Sequence, residues 1–217
     1  MIEIAIDGTA ASGKGTLAKK LAKKYGFIYL DTGLLYRKVA NELIVTKKDT
    51  SSNLEYCSYQ IAKNLNFLES KKEDLRSEEI AKLASLIATY PKLREILNLK
   101  QKEFVYKNKM KFPGCVLDGR DIGTKILPNA DFKFFIDASI EVRAKRRLLE
   151  KNISFLHEKD EKCMLQSLIK QMNDRDKLDI KRSISPLVPA EDAYVIDTTF
   201  IDADELFLKV TKIIDEN

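Results

Sequence analysis

Residues 4–16 read IAIDGTAASGKGT, and the fold is decided here. Ile2, Ile4 and Ile6 make a short apolar strand, interrupted by Glu3, that runs into Gly8. Four small residues follow, Thr9, Ala10, Ala11 and Ser12, and then Gly13, Lys14, Gly15 and Thr16. Strand, glycine-bracketed loop and helix start form a phosphate cradle. The glycines let backbone N–H groups curl around an anion, a lysine reaches the outer phosphates, and a hydroxyl meets Mg²⁺. Leu17, Ala18, Leu21, Ala22 and Tyr25 recur at helical spacing, so a helix adds its positive end to the loop. Gly8 to Thr16 are thus the expected nucleotide-binding residues, with Lys14 also catalytic and Thr16 a direct Mg²⁺ ligand. One irregularity stands out: Gly15 separates Lys14 from the hydroxyl residue that commonly follows it directly.

Outward from this loop, apolar strands alternate with helices. Tyr25 and Gly26 close the first helix, the glycine serving as C-cap. Phe27 to Leu30 is a short strand ending at Asp31, and Asp31-Thr32-Gly33 opens a helix running to about Thr46. Residues 47–53 form a polar connector. From Leu54 to Lys107 the pattern is helical throughout, carried by Leu54, Cys57, Ile61, Leu65 and Leu68, then Ile80, Leu83, Ala84, Ile87 and Ala88. Pro91 begins a further helix at its first turn. Cys115 to Leu117, Phe132 to Ile136 and Tyr194 to Ile196 read as strands. Ile140 to Lys151 and Lys162 to Lys181 read as basic helices around a polar turn, and Ile201 to Ile214 as a closing helix. The expected class is α/β, a five-stranded parallel sheet with helices on both faces and right-handed crossovers. Ligands then sit beyond the strand C-termini. Asp7, Asp31, Asp118 and Asp137 stand at those ends and are expected to face one crevice. The chain divides into a core (1–46, 108–140 and 183–217), a helical insert (47–107) and a helical lid (141–182).

Composition narrows the function. With 217 residues, 44% hydrophobic and 33% charged, the chain is neither a membrane protein nor a disordered one. No apolar run approaches a membrane span and no signal peptide precedes the first strand, so the cytoplasm is the expected compartment. Cys57, Cys115 and Cys163 are scattered, which suggests reduced, buried thiols. The single histidine, His157, leaves no basis for a catalytic triad. A net charge of +5 fits nucleic acid or a small anionic substrate.

IDGTAASGKGT (6–16), LDTGLLYR (30–37), LDGRDIGT (117–124) and RDKLDIKRSISPLVPAEDAYVIDTT (175–199) together resemble the bacterial cytidylate kinases in order, spacing and nearly full length. GKGT, with its extra glycine, is the form found in nucleoside monophosphate kinases. The resemblance implies a parallel five-stranded sheet, a nucleotide-binding insert, a mobile lid, and phosphoryl transfer from ATP to CMP or dCMP with Mg²⁺. It implies that Arg37, Arg120 and Arg182 hold the CMP phosphate, as their guanidinium forks suit a dianion. Cytosine offers a donor at N4 beside acceptors at N3 and O2, a set that Asp121, Ser85 and Arg94 would satisfy. Arg175 and Asp179 fall to the sugar, Thr32 and Tyr36 to the acceptor, and Asp118 to the waters of Mg²⁺.

Arg143, Arg146 and Arg147 share a helical face. By default that face is solvated; at the lid of such a kinase its arginines, with Arg120 and Lys14, would neutralise the transferring phosphoryl group. No general base is needed, because a phosphate monoester loses its second proton near pH about 6 and is already an anionic nucleophile. The insert departs from the family: 65–76 is short, charged and without strand alternation. Other small-acceptor kinases (UMP or shikimate) are the nearest alternative. A regulatory GTPase would need Asp-x-x-Gly and Asn-Lys-x-Asp, and neither occurs. A nucleic-acid-binding ATPase predicts interleaved aromatics, and the basic helices at 143–151 and 170–182 have none. The expected partners are ATP and CMP or dCMP, with no nucleic acid, no membrane and a monomeric chain.

Overall fold

The computed structural model describes residues 1–49, 52–65, 75, 77–150 and 157–217. In chain order these form β1 (Ile2–Gly8), α1 (Lys14–Tyr25), β2 (Ile28–Asp31), α2 (Gly33–Val45), α3 (Leu54–Asn64), α4 (Glu78–Ile87) and α5 (Pro91–Asn108). There follow β3 (Gly114–Gly119), a π-helical turn (Ile122–Ile126), β4 (Phe132–Asp137), α6 (Ile140–Glu150), α7 (Glu158–Lys181), β5 (Tyr194–Asp197) and α8 (Ala203–Asp215). The chain divides into two compact bodies, residues 1–30 with 110–217, and residues 31–109.

The first body is built on a five-stranded parallel sheet ordered β2-β3-β1-β4-β5. Strand alternation sends Ile4 and Ile6 to one face, where they pack with Val116, Phe134, Ile136 and Ile196 under Leu17, Leu21, Leu206 and Val210 of α1 and α8. Burying each of these large side chains stabilises the fold by roughly 1.5–3 kcal/mol before entropy is subtracted. Gly26, at φ 66°, ends α1. Asp202 begins α8 through a reciprocal capping box with Glu205. Ala5 and Asp7 alternate to the opposite face, against which the π-helical turn packs.

The second body is helical. Here α2 packs on α3 and α4, and α3 on α5, so α2 groups with the helices expected from the insert. Ser77 and Asn53 cap α4 and α3 with their side chains. The strands agree with the sequence reading to within a few residues. The helix expected from Lys162 starts instead at Glu158, because Glu158, Asp160 and Glu161 suit a helix N-terminus. Among the described residues, the helical run from Leu54 to Lys107 is made of α3, α4 and α5, the last opening at Pro91 as the sequence implies. Leu68 and most of 65–76, Thr50 and Ser51 of the polar connector, and residues 151–156 of the turn after α6 lie outside the described residues. Cys115 is buried, Cys57 half-buried and Cys163 exposed, so burial of all three thiols does not hold. His157 is exposed.

Candidate active site

The loop between β1 and α1 has the backbone of an anion cradle. Ala11 (φ 58°) and Gly13 (φ 97°) are left-handed, and α1 opens at Lys14 directly after Gly13. Such reversals turn consecutive N–H groups toward one point. Gly8 is obligatory: its φ is 146°, and a Cβ there would lie 1.9 Å from the carbonyl oxygen of Ile136 on β4. The Lys14 ammonium donates to the Thr9 carbonyl at 3.1 Å, and Thr9 Oγ1 donates to Asp137 Oδ1 at 2.6 Å. Gly15 brings the first turn of α1 beside Asp118, whose Oδ2 would be 3.5 Å from a Cβ at Gly15. Thr16 follows in the same turn, and Tyr29 Oη donates to Asp118 Oδ1 at 2.8 Å.

Behind the loop stand two arginines. Arg143 is buried; its Nε donates to Ala138 O at 2.8 Å, its Nη1 to Ala10 O at 3.4 Å, and Nη1 pairs with Asp176 at 2.7 Å. Arg146 Nη1 donates to Ser12 O at 3.4 Å and Thr198 Oγ1 at 2.9 Å, and Nη2 to Thr198 O at 2.6 Å and Ile201 O at 3.2 Å. Burial pulls the Arg146 guanidinium below its usual pKa and pushes the Asp176 carboxyl above its own. Arg143 and Arg146 therefore do not lie on the solvated face that is the default for such residues. Partners distant in sequence draw the first two inward to carbonyls of the phosphate loop, and only Arg147, paired with Glu150 at 2.8 Å, lies along the helix surface.

At the end of α7, three guanidinium groups gather around one carboxylate. Asp179 Oδ2 accepts from Arg120 Nε at 2.9 Å and lies 4.0 Å from Arg175 Nε, while Oδ1 accepts from Arg182 Nη1 at 3.4 Å. Burial alone would raise the Asp179 carboxyl, but Arg120, Arg175 and Arg182 together outweigh it and hold the carboxyl below its ordinary value. Arg182 caps α7 in an extended conformation rather than continuing it. Asp121 is buried at the start of the π-helical turn, whose first two residues donate to Asp7: Ile122 N–H to Oδ1 and Gly123 N–H to Oδ2, both at 2.8 Å.

Of the four aspartates expected to face one crevice, Asp7 is corrected. Asp7 is turned inward to Ile122 and Gly123, and Asp137 receives Thr9. In the second body, Asp31 Oδ1 accepts from Leu34 N–H at 3.3 Å. Thr32 is buried just before α2. Arg37 Nη1 donates to Leu75 O at 2.9 Å. The buried Arg94 sits 5.7 Å from the Tyr36 ring centroid and donates to Ala88 O at 3.1 Å. Ser85 Oγ is buried without a hydrogen-bond partner among the described residues. Tyr29, Asp176 and Thr198, which bond to Asp118, Arg143 and Arg146, are residues that the sequence reading passes over. Asp176 had a signal, since it stands three residues before Asp179 and so on the same helical side.

A family model for cytidylate kinase matches residues 4–216. The chain is 43% identical over 215 residues to a cytidylate kinase of Bartonella bacilliformis, covering 98% of this chain and 94% of that one. It is 43% identical over 211 residues to a cytidylate kinase of Paramagnetospirillum magneticum, covering 97% and 96%. Among solved structures, an uncharacterized protein from Eubacterium ventriosum aligns over 100% of both chains at 16% identity with a TM-score of 0.53. That likeness is one of fold.

Proposed function

The chain belongs to the cytidylate kinase family, and from that premise we propose how its residues divide the work of phosphorylating CMP and dCMP. ATP is the donor, with its phosphates in the loop from Gly8 to Thr16 and Lys14 on the outer ones. Thr16 and Asp118 are hard oxygen donors beside that loop and fit Mg²⁺, which keeps most of its ligands as water and phosphate oxygen. When bound, the ion neutralises charge on the transferring phosphates. Arg143 and Arg146 support the loop from its carbonyl side, and Arg147 is the lid arginine best placed to reach outward.

On the acceptor side, Arg37, Arg120 and Arg182 take the CMP phosphate, Arg175 and Asp179 the sugar, Ser85, Arg94 and Asp121 the cytosine edge, and Thr32 and Tyr36 complete the contacts. One observation carries this reading: the guanidinium groups of Arg120, Arg175 and Arg182 converge on the carboxylate of Asp179, which gathers three forked donors of the kind that bind phosphate oxygens. The buried Ser85 hydroxyl supports it as a hydrogen-bonding group ready for a polar ligand. Catalysis is then positioning and charge neutralisation. Monomer and cytoplasm remain our proposals for assembly and compartment; among the described residues, no helix is long and apolar enough to cross a membrane.

Lys14→Ala tests the donor side. We expect CDP formation to fall by at least about a thousandfold while circular dichroism and melting temperature stay unchanged. Retained turnover would remove Lys14 from the mechanism.

A further inference from the structure

Asp7 is a buried charge that the division of labour above leaves without a task. It is the penultimate residue of β1, directly before the phosphate loop, opposite Gly119 in the parallel register of β1 with β3. Strand alternation turns it away from the main core toward segment 119–123. There its two carboxylate oxygens each accept one backbone N–H, from Ile122 and Gly123 at 2.8 Å. Those N–H groups open the π-helical turn, where the turn itself supplies no acceptors. Packing is close: a Cβ on Gly123 would be 3.3 Å from the Lys133 side chain and 3.5 Å from Asp7 Oδ2.

We propose that Asp7 is a positioning residue for acceptor recognition, fixing through Ile122 and Gly123 the backbone from which Arg120 and Asp121 project. A carboxylate offers a separate oxygen to each of two successive N–H groups in a fixed fork, a geometry an Asn carboxamide cannot match because its second terminal atom is an NH₂ donor. Arg120 and Asp121 are also the charged groups that act on Asp7 electrostatically. Burial raises the Asp7 carboxyl to about 6, so the anion is kept against its desolvation penalty. Since Gly8 follows it, one strand end thereby sets both the donor loop and the acceptor-side turn. The inference rests on the reading of Arg120 and Asp121 as acceptor-binding residues.

The test compares Asp7→Asn with Arg120→Ala and Asp121→Ala by steady-state kinetics. Asp7→Asn sets an amide NH₂ against one of the two N–H groups. We expect its KM for CMP to rise about tenfold, its KM for ATP to stay within about twofold, and its preference for CMP over UMP in kcat/KM to fall. A merely structural role would move both KM values alike. If Arg120→Ala and Asp121→Ala raise KM for CMP and Asp7→Asn does not, the inference is overturned. If none of the three raises it, the acceptor-site reading fails instead. Should Asp7→Asn not fold, Asp7→Ser removes one of the two acceptor oxygens without adding an NH₂ group. It carries the same expectation, and an equal change in both KM values overturns the inference.

Discussion

Replacing Asp7 by Asn should change how stability depends on pH, in a direction opposite to that of most carboxylates. Burial raises the folded-state pKa of Asp7 from 3.8 to about 6, and the hydrogen bonds from Ile122 and Gly123 only partly offset it. Between these values the folded chain binds a proton that the unfolded chain has released. Stability from this group is therefore fully present below pH 3.8 and is lost as pH rises through about 6. The difference of about 2 pH units corresponds to about 3 kcal/mol. Asp7→Asn lacks the titration, so its stability relative to the wild type should improve by about that amount from pH 4 to pH 7. Paired urea titrations at half-unit steps measure the difference, and other carboxylates cancel because both proteins contain them. A difference that stays flat across this range, or changes in the opposite sense, would refute the burial argument.

Gly8→Ala should cost more than about 3 kcal/mol in urea unfolding, because the position combines a positive φ with a 1.9 Å approach to the Ile136 carbonyl; a loss below about 1 kcal/mol would show that β1 and β4 separate easily there. Asp121→Ala should reduce the CMP-to-UMP ratio of kcat/KM by about 10- to 100-fold, as expected for one lost base-edge contact of 1–3 kcal/mol; an unchanged ratio would take Asp121 out of base selection.

Short-range patterns made most of the sheet legible. Each apolar run closed by Asp or Gly, such as Cys115-Val116-Leu117 before Asp118-Gly119, is a strand in the structure, and Gly26 and Pro91 mark helix ends as their backbone chemistry requires. The phosphate loop was legible because the chemistry is local. What escaped depends on partners far along the chain. The π-helical turn at Ile122 is held by Asp7, 115 residues earlier. Arg146 is drawn inward by Thr198, 52 residues later, and Arg143 by Asp176 on another helix, partners that helical spacing alone does not reveal. Grouping α2 with the insert helices likewise follows from its packing on α3 and α4, which no boundary signal near Asp31 announces.

The central claim is tested most directly by ADP release from ATP and Mg²⁺ with purified protein across CMP, dCMP, UMP, AMP and shikimate. CMP and dCMP should give the highest kcat/KM, with CDP and dCDP as the phosphorylated products. Faster turnover with UMP, AMP or shikimate would contradict the cytosine assignment, and no stimulation by any acceptor would contradict the kinase assignment itself.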